Sequence, residues 1–124
     1  MVYLTTYRNG PFRTAHVRSL ALPACARLPQ LMFLGGPLIA AAAHLLRLDV
    51  VHDPVGISPF TLGRWAGGFT RLVSLYDAIA FRYPEGYPWL NNLLHRRYIP
   101  ATLGNVDGVI TASQHACGDL VRFL

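Results

Sequence analysis

Lysine is absent from this sequence, so its formal charge of +5 rests on 11 arginines set against 6 acidic residues. Arginine without lysine, in a chain rich in Ala and Gly, is also what GC-rich coding yields. No block of consecutive basic residues occurs. The densest cluster, His95-Arg96-Arg97, reads as a solvated helix face rather than a nucleic-acid patch, and nucleic acid is not an expected partner. Cysteine is scarce: Cys25 and Cys117 are the 2 present. They lie far apart and show no CxxC or Cys/His ligand spacing, which argues against a zinc site or a disulfide framework and makes a reducing cytoplasm the expected location. The histidines form no His-x3-His pair, so no metal is expected. The chain also lacks the G-x-S-x-G elbow of serine hydrolases. Residues 2–6 lack the basic start, apolar core and cleavage site of a secretory signal. Charged residues make up 14% of the chain against 52% hydrophobic, a balance opposite to that of disordered segments.

The longest stretch without a formal charge is 28–46, and a membrane-spanning helix needs about 20 apolar residues. Pro29, Gln30, Gly35-Gly36-Pro37 and His44 interrupt it. The expected outcome is a short apolar piece, a turn at Gly35-Gly36, and a core helix over 37–47 with Pro37 at its first position and Leu38, Ala41, Ala42 and Leu45 on the apolar face. Contact with a bilayer surface through this region and its flanking Arg27 and Arg47 is the membrane reading that stays open.

What is present in quantity is a repeated pattern of short apolar runs that end in polar residues. Residues 48–54 (LDVVHDP), 71–76 (RLVSLY, followed by Asp77) and 107–113 (DGVITAS) each read as a strand closing on His, Asp, Tyr or Ser. Residues 2–7 read as a further strand, closed by a turn at Asn9-Gly10-Pro11, and 12–30 as a mixed segment. Residues 53–68 and 77–87 read as Pro- and Gly-rich loops. A helix is expected over 88–103, with Leu90, Leu94 and Tyr98 on one side, Asn91, His95 and Arg96 on the other, and a kink or end at Pro100. Ser113 stands where a helix N-cap belongs, ahead of Ala116, Cys117, Leu120 and Leu124. The 124 residues form one domain's worth of chain. The alternation of strands and helices predicts a parallel α/β sheet with right-handed crossovers, and ligands of such sheets bind outside the carboxyl ends of the strands.

At those carboxyl ends each polar residue has two roles open. His52 and Asp53 suit a bound ligand's polar groups, or Asp53 makes a turn before Pro54. Asp77 suits a ligand-orienting role, or forms an Asx turn. Ser113 caps a helix, whose N-terminus is also a natural anion site.

LDVVHDP, RLVSLYDAIAFRYPEGYP and NVDGVITASQHACGDLVRF, in this order, resemble the N-terminal domain of family-four (group 1) retaining glycosyltransferases of the GT-B fold. The resemblance covers 48–124. The His of the family's "H-D" motif is Tyr76 here, with Asp77 retained. Tyrosine still hydrogen-bonds a sugar or phosphate oxygen but does not titrate near neutral pH. The resemblance implies a Rossmann-like parallel sheet with flanking helices, a partial GT-B N-terminal lobe incomplete at both ends. Residues 2–7 stand in the place of the second strand, and the family's first strand with its Gly-rich loop has no counterpart. It implies the acceptor-binding lobe of a transferase that moves a hexosyl group to a glycan or lipid acceptor, inactive alone. Asp77 would be catalytic, with His52, Asp53, Tyr76 and Ser113 binding substrate. A nucleotide-sugar donor is expected for the intact enzyme, held by a C-terminal lobe, with no cofactor in this chain. The location expected from the cysteines stays cytoplasmic, with peripheral contact at the inner membrane face through 28–46 left open. The alternative is a non-catalytic α/β interaction module derived from such a domain.

Overall fold

The computed structural model describes residues 2–5, 18–21, 27–56, 59–60 and 68–124. The expected turn at Asn9-Gly10-Pro11, more than half of the mixed segment and most of the loop ahead of residue 68 lie outside these. Two short strands, β1 (Val2–Thr5) and β2 (Arg18–Ala21), pair in parallel as a sheet of their own.

The second sheet carries the three patterned runs. β3 (Val50–Asp53), β4 (Thr70–Ser74) and β5 (Gly108–Ile110) lie in the order β3-β4-β5, all parallel. His52 is in register with Leu72, Asp53 with Val73, and Ser74 with Ile110. Parallel neighbours need long crossovers, and helices supply the one between β4 and β5. The fold is therefore mixed α/β, a small open parallel sheet flanked by helices. At its amino edge, Arg71 is buried and its guanidinium lies 4.5 Å over the Phe69 ring. The Arg71 backbone N–H donates to Asp107 Oδ2 at 2.8 Å, and the two side chains pair at 3.9 Å. This clamp ties the start of β5 to the start of β4.

The first helix, α1 (Leu28–Leu45), corrects the expectation of a turn at Gly35-Gly36, because it runs through both glycines and through Pro37. Gly35, Gly36, Ile39, Ala42 and Ala43 are its buried positions, a stripe at helical spacing, while Ala41 and Leu45 are exposed. A Cβ at Gly35 would stand 3.2 Å from the Pro59 side chain and 3.0 Å from Leu31. Small residues thus let the helix press against residue 59, and packing outweighs their poor helix propensity. The helix closes in a Schellman arrangement: Leu48 N–H bonds the Ala43 carbonyl and Arg47 N–H the His44 carbonyl, with Arg47 at φ 51.

Between β4 and β5 the expected loop after Asp77 holds a helical turn, α2 (Ile79–Arg82), and a 3-10 turn (Pro84–Gly86). Then comes a continuous helical run built of α3 (Trp89–Leu93), a π-helical turn (Leu94–Tyr98) and α4 (Ile99–Leu103). The run does not end at Pro100, since α4 carries it on to Leu103, and a π-helical turn precedes the proline. Proline removes one N–H and crowds the preceding turn, and widening that turn relieves both. α5 (Gln114–Phe123) follows β5, with Ala116 N–H donating to Ser113 Oγ at 3.1 Å. The core joins Val73, fully buried in the central strand, to Ala43 of α1, Val51 of β3, Ile99 of α4 and Leu120 of α5.

Candidate functional site at the carboxyl edge of the sheet

β3 ends on His52 and Asp53, β4 runs out through Ser74 to Tyr76 and Asp77, and β5 leads to Ser113. Because the strands are parallel, all these tips fall at one margin. Two contacts cross between strands there. His52 Nε2 and Ser74 Oγ hydrogen-bond at 2.8 Å, and Tyr76 Oη donates to the Pro54 carbonyl at 2.9 Å. Ser74 is buried while the imidazole is exposed, so the serine holds the ring from beneath. The turn after β3 passes close to Ser74: Gly56 has φ 80, and a Cβ there would lie 2.8 Å from the Ser74 carbonyl oxygen.

The three acidic and hydroxyl residues expected at the site each make the local bond that their position allows. Asp53 Oδ1 accepts from Val55 N–H at 2.9 Å and Asp77 Oδ1 from Ile79 N–H at 3.0 Å, both Asx turns. Ser113 caps α5. His52 and Tyr76 are brought together through the Ser74 and Pro54 contacts. Ser113 shares the margin by its place after β5.

Three contributors escaped the sequence reading. Ser74 sits inside an apolar run, where its hydroxyl carried no signal. His95 and Tyr98 come from the π-helical turn, whose phase a regular 3.6-residue period does not give. Burial lowers the His95 pKa below its ordinary 6.5, and the negative charge of Asp77 opposes that shift in part. Burial raises the Tyr98 pKa above 10.0, and the charge of Asp53 adds to it. The helical run thus lays a neutral imidazole and a neutral phenol within the field of the two margin carboxylates. The His95 ring meets the edge of Tyr87 at 6.1 Å. Asn92 Nδ2 fixes the turn before it by donating to the carbonyls of Pro84 and Tyr87.

Chemically, the margin offers an exposed imidazole, a phenol and two carboxylates, a set that hydrogen-bonds polyhydroxylated ligands from both donor and acceptor sides. Among the described residues no three His, Cys, Asp or Glu side chains gather as a metal site, and no helix is long and apolar enough to cross a membrane. No family model, curated protein or solved structure matches the chain.

Proposed function

We propose that the chain is the acceptor-binding lobe of a nucleotide-sugar-dependent glycosyltransferase, with the acceptor at the carboxyl margin of β3, β4 and β5. The observation that carries the reading is the parallel alignment of three strands whose tips hold His52, Asp53, Tyr76, Asp77 and Ser113 at one edge. Asp77 accepts a hydrogen bond from the acceptor hydroxyl, and His52, braced by Ser74, and Tyr76 orient the sugar ring. The nucleotide-sugar donor binds a second lobe. Retaining transfer needs the donor phosphate stabilised in a closed cleft between lobes, so this lobe alone binds but does not turn over.

A titration of isotope-labelled protein with a panel of glycans and nucleotide sugars, followed through backbone amide shifts, tests the reading. Glycan-induced shifts centred on 52–53, 76–77 and 113 are expected, and Asp77→Asn should weaken binding by about tenfold or more, the value of a hydrogen bond to a charged group. Shifts that leave these positions untouched for every sugar would sink the proposal.

A second reading, a non-catalytic α/β interaction module, draws on a different observation: Asp53, Asp77 and Ser113 already accept local backbone N–H groups as turns and a cap. In that case the same titration gives no response to any glycan, and Asp77→Asn changes stability alone.

A further inference from the structure

The sheet margin leaves unexplained the surface that α1 and the 89–103 helical run form together. A groove of about 300 Å³ lies between them, lined by Met32, Leu90, Leu93, Leu94, Arg97 and Tyr98. Of its lining, Leu90 is 49% and Leu93 50% exposed, and the sequence neighbours Phe33 and Trp89 are 78% and 76% exposed. Trp89, Leu90 and Leu93 follow a spacing of one and four residues within α3, and exposed Arg96 and Arg97 follow on the π-helical turn. No Asp or Glu occurs in 28–48 or in 86–106, so neither helix brings a carboxylate of its own to the patch, while Arg97 lines it and Arg27 and Arg47 stand exposed at the ends of α1.

We propose that this patch is a docking surface for an anionic phospholipid bilayer, which it meets side-on without crossing it. Charge complementarity selects this occupant. A surface that joins an exposed Trp and Phe to arginines, with no carboxylate on either helix, matches the layer where acyl chains end and phosphates begin. Arginine stems lie along the apolar groove while their guanidinium groups reach the phosphates. A second copy of the chain is the poorer occupant, because a two-fold axis through the patch would set acid-free surface against acid-free surface. The proposal is independent of sugar transfer, since it concerns the two helices and not the strand tips.

Co-sedimentation with sucrose-loaded vesicles tests it. The chain should pellet with vesicles of phosphatidylglycerol and phosphatidylcholine in equal parts, weakly with phosphatidylcholine alone, and less as salt is raised. Arg96→Gln and Arg97→Gln should each lower the partition coefficient about fivefold, and Trp89→Ser with Leu93→Ser should lower it by at least about tenfold. In a Trp65→Phe background, brominated acyl chains should quench Trp89, a readout that leaves the patch intact even if the double variant folds poorly. Equal pelleting with both vesicle types, unquenched Trp89 in bound protein, or a lipid-free dimer abolished by Trp89→Ser would each overturn the proposal.

Discussion

Two described residues hold their backbone in the left-handed region, Arg47 at φ 51 and Gly56 at φ 80, and they respond oppositely to substitution. Arg47 closes the Schellman arrangement of α1, where an L side chain crowds its own carbonyl and glycine does not. Arg47→Gly should therefore stabilise the chain, by about 0.5–1 kcal/mol once the extra freedom of glycine when unfolded is set against the relieved strain. An increase in the urea midpoint with an unchanged slope is the signature. At Gly56 both the conformation and the space reject a side chain, because the added Cβ would meet the Ser74 carbonyl at 2.8 Å. Gly56→Ala should cost about 2 kcal/mol or more. It should also broaden or shift the His52 imidazole resonances, since Ser74 holds that ring; unaltered His52 signals would show that the turn does not set the margin.

Within elements, the run over 89–103 shows how a local defect reaches the site. Pro100 forces a wider turn before it, and that turn carries His95. Because burial keeps the folded-state pKa of His95 below 6.5, the unfolded chain binds a proton that the folded chain refuses. The contribution of His95 is fully present above pH 6.5 and is lost as acidity increases toward its lowered pKa. His95→Gln should remove this part of the acid sensitivity, which urea midpoints from pH 7 downward would measure; an identical pH profile in the variant would place the imidazole in solvent. The same run marks how far sequence reading reaches. The three apolar strands and the Ser113 cap were legible because each depends on neighbours in the chain. The course of α1 through Gly35-Gly36-Pro37 was not. Local propensity charges about 1 kcal/mol for each glycine and about 3 for proline, and tertiary packing, of which the close approach of Gly35 to residue 59 is one part, works against that cost. Ser74 and His95 were missed for a related reason, as their importance comes from partners 22 and 18 residues away, His52 and Asp77.

At the scale of the molecule, few of the described residues are deeply buried, while many large apolar side chains face water. Among the described residues Val73 and Ile99 are the largest fully buried side chains, one in the central strand and one on α4. Between them they fasten the helical run to the sheet and so hold His95 and Tyr98 near the margin. Ile99→Ala should cost about 3 kcal/mol, the usual penalty for emptying a packed aliphatic site, a large share of the roughly 5–15 kcal/mol that stabilises a domain. Leu93→Ala, on the same run but half exposed in the groove with α1, should change stability by no more than about 0.5 kcal/mol. Urea unfolding of the two variants side by side gives the comparison. A small effect at Ile99 would mean that the run is not seated on the sheet, and the margin would then lose its helical wall. The expected contrast also separates binding from folding: a Leu93 substitution that weakens vesicle partition at undiminished stability acts on the surface itself, whereas Ile99→Ala reaches that surface only by loosening what supports it.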